Sequence, residues 1–368
     1  MPLVAGAILT LATSTTSQAR PRNLTCVHVD EGPFPKFTRS GVWSSLGDEL
    51  VLLDNYDRTL LRYTSNGKCR GCIQTSLALA LKSSHPRMLT AFGGSGFLLQ
   101  TEASLFLDVD SRFSYKSMPL PKSSSSDEVK KVYDFAAGTN DLVAFVDTQN
   151  SLTEQWTPGF LRTSAKGTRR FSWLARNVSD SEKLWYRLAM PYIAMDGDTA
   201  YVLRMNSPYA LYRNDPSVEG DELVKVSALD PVASTGRNLL PYLPDLRGPQ
   251  DLEPIANALR AADDLPVGLY SQAHRLFVLY RSAEPTRARW SLRVIDTRSI
   301  NQPATRTISL NIDADFVSLV PGPRFWAVIA KSQPEGMREQ RVTGIYIFRA
   351  SSLLQADAQQ LPDEICGS

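Results

Sequence analysis

Apolar and polar positions along this chain alternate in short bursts, and the bursts repeat. A β-rich segment runs into a Gly/Asn/Asp turn, and an almost continuously apolar strand follows at once. Residues 40–45 turn at 46–49 into 50–54, residues 88–92 turn at 93–96 into 97–100, and residues 132–136 turn at 138–141 into 142–147. Residues 192–195 turn at 196–199 into 200–204, residues 267–270 turn at 271–274 into 276–281, and residues 316–320 turn at 321–323 into 325–330. Each turn uses residues that tolerate positive φ or preset a tight reversal, as a hairpin requires. The second strand of each pair is apolar at successive positions, which predicts a strand covered on both faces. A third strand follows most clearly at 59–63, 104–108, 291–295 and 344–348.

Measured between Gly47, Gly94, Asn140, Gly197, Gln272 and Gly322, the spacings are 47, 46, 57, 75 and 50 residues. Repeats of that length, each one small antiparallel sheet, predict an all-β, six-bladed propeller with four-stranded blades, since a lone blade cannot bury both its faces. A pair of β-sandwiches would need an inter-domain linker, and none is visible. A seventh blade would have to fit the longest spacing. That stretch instead holds 249–254, rich in Pro and acids, and 255–262, which reads as a short amphipathic helix closed before Pro266. It predicts a helical insertion near 250–262, between the fourth and fifth blades of a single domain spanning 20–368.

The run from Leu50 to Gly67, LVLLDNYDRTLLRYTSNG, resembles the repeat of NHL/TolB-like six-bladed propellers. In that repeat an apolar strand ends in Asp, a polar turn carries Asn and Arg, and the next strand ends in a Gly-containing turn. The resemblance covers about residues 36–350 as blade rhythm. It implies a ligand site at the mouth of a central channel, lined by the loops after each second strand. The corresponding positions are Asp54, Gln100, Asp147, Arg204, Arg281 and Lys331, with Asn55, Glu102 and Asn206 close by. The architecture implies no one activity, because it hosts hydrolases, lyases and binding scaffolds. Such rings close by pairing one terminus into the blade built by the other. Residues 24–29 form a strand without a neighbour, whereas 353–361 is Ala/Gln-rich and a poor strand, so the N-terminal strand is expected to complete the last blade beside 345–348.

Residues 4–12 (VAGAILTLA) are followed by small and polar residues up to Ala19, which reads as a secretory signal cleaved after residue 19 although no basic residue precedes the run. A secreted or periplasmic protein is expected, or a cytoplasmic one if the run is not a signal. No segment is long and apolar enough for a transmembrane helix. Four cysteines allow three pairings. Cys26–Cys366 and Cys69–Cys72 are favoured, because the first would tie the chain ends together and lock the ring. The Cys69–Cys72 unit lacks both the second CxxC of a zinc site and the βαβ setting of a thioredoxin. Asn23-Leu24-Thr25 and Asn177-Val178-Ser179 match glycosylation sequons.

With 43% apolar residues a sizeable core can form, and 40 Lys+Arg against 38 Asp+Glu leave a net charge of +2. That balance gives no bulk electrostatic case for nucleic acid or an anionic membrane. A lactonase-like site would need Asp54, Asp147 and Asn206 to converge on one divalent cation such as Ca²⁺, against the repulsion of Arg204, Arg281 and Lys331. The histidines, His28, His85 and His274, fall on the closing strand, before Pro86 and in a hairpin turn, and none lies by a nucleophile elbow. Gly93–Gly96 precedes a strand rather than a helix, so it is a turn and not a phosphate loop. Trp43 and Trp326 fall on strands and are expected to fill inter-blade space. Trp156, Trp173 and Trp185, with Phe160, Phe171 and Tyr186, could form an aromatic surface for a sugar, peptide or protein. The sequence therefore favours an exported, monomeric, non-enzymatic scaffold without cofactor that binds a small polar ligand or a protein. A metal-assisted hydrolase or lactonase at the channel mouth is the alternative.

Overall fold

Continuous apolar runs become second strands whose alternate residues serve two different neighbours. Leu50 and Leu52 enter the layer shared with the sixth blade, while Val51 and Leu53 enter the layer shared with the second. Period-two alternation thus operates in full, but both faces are dry. Each fully buried Leu contributes about 1.5–3 kcal/mol of burial. A computed structural model of the chain describes residues 23–29, 32–44, 48–74, 76–93, 96–101, 105–119, 127–139, 141–153, 156–164, 167–171, 191–204, 210–214, 224–228, 265–283, 288–299, 306–333, 340–354 and 361–366.

Six antiparallel blades follow one another along the chain. The first contains Gly41–Trp43, Glu49–Asp54, Thr59–Thr64 and Cys69–Cys72, and the second Met88–Phe92, Gly96–Gln100, Leu105–Val109 and Tyr115–Pro119. The third contains Asp127–Ala137, Leu142–Asn150, Trp156–Ser164 and Gly167–Phe171, and the fourth Tyr192–Asp196, Thr199–Arg204, Ala210–Asn214 and Val224–Ala228. The fifth contains Leu265–Gln272, Arg275–Ala283, Ala288–Asp296 and Arg306–Leu310, and the sixth Phe316–Val320, Phe325–Ser332 and Arg341–Arg349. The six first strands touch one another in cyclic order, the sixth returning to the first, so they surround a common axis.

Aromatic and aliphatic side chains fill the layers between blades. Phe106 meets Phe135 edge-on at 4.9 Å between the second and third blades, and Phe277 meets Trp326 at 4.6 Å between the fifth and sixth. Trp43 and Trp326 are both buried, as their strand positions predict. The helix Ser76–Ser83, absent from the sequence expectations, seals the first-to-second connection with Leu77 and Leu81, one turn apart on its inner face.

The chain ends close the ring in two places. Val27–His28 pairs antiparallel with the sixth blade, Val27 opposite Ile347 and His28 opposite Tyr346, which is the closure expected. In addition, Glu364–Ile365 adds parallel to the outer strand of the fifth blade, and Asn23–Leu24 adds to Glu364–Ile365, giving that sheet six strands. Between the two attachments lies the Cys26–Cys366 disulfide, spanning 340 residues of sequence. The second expected disulfide is not formed: Cys69 and Cys72 are free thiols. Both sit on one strand of the first blade. They oppose Tyr63 and Leu61, two positions apart on the neighbouring strand, so the ladder holds their Cα atoms about 7 Å apart, at the outer limit of disulfide reach. Of residues 353–361 only 353, 354 and 361 are described, the first two closing a helical turn at Ser351–Leu354, and 355–360 lie outside the described residues. Residues 1–19 and the insertion near 250–262 lie outside the described residues, as do Trp173, Trp185 and the sequon at Asn177.

Candidate functional site: the central channel

The first strands enclose a central cavity of about 670 Å³. One mouth lies where first strands begin and second strands end. Lys331, near the end of the second strand of the sixth blade, pairs across the ladder with Phe316, where the first strand begins. Lys331 is 6% exposed and lines the cavity. Burial, and then the nearby Arg39 guanidinium, pull its ammonium down to about 8. Partial desolvation of the Arg39 guanidinium, in a side chain that is exposed overall, lowers its pKa, helped by Arg87. Among the described residues no carboxylate pairs with Lys331 or Arg39.

The two arginines stand together because of Asn55. Its Oδ1 accepts the Arg39 amide at 3.2 Å, and its Nδ2 donates to the carbonyls of Pro86 and Arg87 at 3.0 and 2.8 Å. One side chain in the first blade's turn thus fixes the segments leading into two adjacent first strands.

Asp134 and Tyr270 line the channel farther along their first strands, and Tyr192, which opens the first strand of the fourth blade, lines it as well. Asp134 follows a β-bulge, where the register slips between Val132 and Asp134 and Tyr133 is left over. Bulges re-aim side chains in this way. The Asp134 oxygens accept the Phe135 amide at 2.9 Å and the Ile193 amide of the next blade at 3.1 Å. Burial still outweighs those bonds and pushes its carboxyl up to about 7. Burial raises the Tyr192 hydroxyl and pushes the Tyr270 hydroxyl up to about 12, so both stay neutral and able to donate. Tyr270 accepts the Leu319 amide at 3.1 Å, tying the fifth blade to the sixth. Its ring lies over Gly268, where a Cβ would come within 2.8 Å of it. The channel therefore offers cations at one mouth, neutral hydrogen-bonding groups along it, and apolar walls from Phe37, Leu89, Val317 and Leu319.

The mouth positions taken from the family resemblance fare unevenly. Lys331 lines the cavity. Asp54 is spent on the turn that follows it, accepting the amides of Lys36, Tyr56 and Asp57 at 2.8, 2.9 and 3.1 Å. Asn55 acts through the arginines. Gln100 is fully buried, and Asp147 accepts the Tyr133 hydroxyl at 2.8 Å. Arg281 is half-buried opposite Leu265 and Trp290 in the fifth blade. Arg204 closes the second strand of the fourth blade opposite Ala210, and Glu102 and Asn206 lie outside the described residues. Of the aromatic trio, Trp156 opens the third strand of the third blade opposite Gln149. Arg39, Asp134, Tyr192 and Tyr270 were missed. The available signal was a polar residue inside, or just ahead of, an otherwise apolar first strand.

A lactonase-like metal centre does not fit the described channel. Asp134 is its sole carboxylate, no His or Cys lines it, and both Asp134 oxygens already accept amides. Among the described residues no three His, Cys, Asp or Glu side chains converge.

No protein-family model matches the sequence, and no curated protein matches it. Solved structures are similar in chain trace. The calcium-binding protein regucalcin of Agrobacterium tumefaciens strain C58 is 9% identical, with 89% of this chain and 95% of that one covered at a TM-score of 0.47. A gluconolactonase candidate is 9% identical, with 89% and 92% covered at 0.49. A candidate exported protein of Bacteroides fragilis NCTC 9343 is 11% identical, with 89% and 94% covered at 0.46. At such identities none of their activities passes to this chain, whose assignment as a six-bladed propeller rests on its own sheet topology.

Proposed function

We propose that this protein is a non-enzymatic binding propeller that takes a small molecule into its central channel and works in an oxidising compartment outside the cytosol. The observation that carries the reading is the channel itself: about 670 Å³, the size of a small-molecule site, lined by apolar walls and a few placed polar groups. The Cys26–Cys366 disulfide supports the compartment, since structural disulfides persist where glutathione does not reduce them. No helix among the described residues is long and apolar enough to cross a membrane.

The test is native mass spectrometry of protein purified from the cells that make it, beside an Ala91→Trp variant. Ala91 lines the cavity and is exposed, so an indole there occupies channel volume without entering the core. The wild type should carry one small molecule per chain and the variant none. Equal occupancy in both, or an empty wild-type channel, would count against the reading.

A further inference from the structure

Lysine is almost never fully buried without a partner, because removing an ammonium from water is costly unless something replaces the lost solvation. Lys331 is 6% exposed and lines the channel together with Arg39, whose charge acts on it as that of Arg87 acts on Arg39. No carboxylate among the described residues balances the three. The backbones that carry the two arginines are held together, since Asn55 bonds to the Arg39 amide and to the Pro86 and Arg87 carbonyls. Such an arrangement costs stability in the empty protein, and an anion at the mouth relieves it.

Resting on the channel reading, we infer that this mouth is an oxyanion site, in which Lys331 and Arg39 bind the carboxylate or phosphate head of a small organic acid whose apolar body extends into the channel. A guanidinium presents two parallel N–H donors to an oxyanion, and an ammonium adds a point charge, so the pair suits either head. The apolar body follows from the wall just inside, where Phe37, Leu89, Val317 and Leu319 line the cavity. Asp134, the channel's sole described carboxylate, has its pKa raised to about 7, so negative charge along the channel is reduced at neutral pH. Asn55 is a positioning residue here, touching the arginine backbones rather than the ligand.

Isothermal titration of the full-length protein tests this with benzoate, phenyl phosphate, inorganic phosphate, benzamide and benzamidine. Benzoate or phenyl phosphate should bind one per chain at least roughly tenfold tighter than benzamide, the loss expected when a charged hydrogen bond is replaced by a neutral one. Benzamidine should not bind. Lys331→Gln and Arg39→Gln should each weaken the anion by a similar factor. Arg39 is exposed, so its variant keeps the test valid if Lys331→Gln does not fold. Benzamide binding as tightly as benzoate, with binding lost in Ala91→Trp, would overturn the oxyanion head while leaving the channel reading standing. Inorganic phosphate matching phenyl phosphate would overturn the organic body. Anion affinity unchanged in Arg39→Gln, or no binding by any probe through the millimolar range, would overturn the site.

Discussion

Arg162 and Asp141 form a buried ion pair, Arg162 Nε donating to Asp141 Oδ2 at 2.8 Å, in the third blade. The same guanidinium reaches the fourth blade, donating to Asn214 Oδ1 at 3.0 Å and to the Asp198 carbonyl. One side chain thus joins two blades whose shared layer includes Phe145, Phe160, Met195 and Val202.

Arg162→Met should therefore cost about 3–5 kcal/mol, because it leaves the Asp141 carboxylate buried and unpaired. Adding Asp141→Asn should recover a large part of that loss. Arg162→Lys should not, since an ammonium cannot reproduce the fork that serves three acceptors. Urea unfolding of the four proteins checks this, and equal stability of Arg162→Met and wild type would show the pair to be idle.

Stability should fall as pH rises from about 4 to about 7 through Asp134. Its folded carboxyl keeps a proton up to about 7, while the reference carboxyl releases it near 3.8. Between those values the folded state binds more protons than the unfolded state, so raising pH favours unfolding, by up to about 4 kcal/mol across the window. Asp134→Asn should flatten that slope and should be the less stable protein in acid, where it loses one of the two amide bonds. Urea midpoints across this pH range decide the point, and identical slopes in both proteins would remove Asp134 as the cause.

Gly322 touches Trp43 across the junction of the sixth and first blades. A Cβ at Gly322 would sit 2.3 Å from Trp43 Cδ1, and Trp43 Nε1 donates to the Val320 carbonyl at 3.0 Å. Gly322→Ala should force the indole aside and cost ~1–3 kcal/mol. Thermal unfolding checks it, with Trp43→Phe as the variant that loses the hydrogen bond but frees space.

Removing both Cys26 and Cys366 as serines should lower stability by ~2–5 kcal/mol, since the bridge closes a very long loop. The ring should still close, because both terminal strand attachments remain. Cys69→Ser with Cys72→Ser should change stability by less than about 1 kcal/mol, as neither thiol is bridged. Unfolding with and without reductant separates the two pairs of variants.

The hairpins were legible because their physics is local. The turn at Ser271–His274 reverses the chain with Ala273 and His274 at φ of 48° and 60°, and the strands on either side run within a few residues of the expected bounds. The strand at Glu364–Ile365 was not legible, since two residues carry no periodicity and its partner lies more than fifty residues away. The mouth was misread for a geometric reason. Second strands stand one position away from the axis, so Asp54 at the end of one finds three backbone amides before it reaches the channel. Lys331, opposite Phe316 where the first strand of its blade begins, does line the channel. Neither bulges nor the inward reach of Asp134 and Tyr270 leaves a mark in residue spacing.

The 340-residue span between Cys26 and Cys366 also sets a clock. At ~5–20 residues per second of synthesis, the Cys26 thiol waits from tens of seconds to about a minute for its partner. Cys69 is made long before Cys366, and its side chain packs against Gly32, six positions from Cys26. In the finished ring that thiol and Cys72 both stay unbridged. The Cys26–Cys366 bridge can form only after the last blade has been made, as the final covalent step of ring closure.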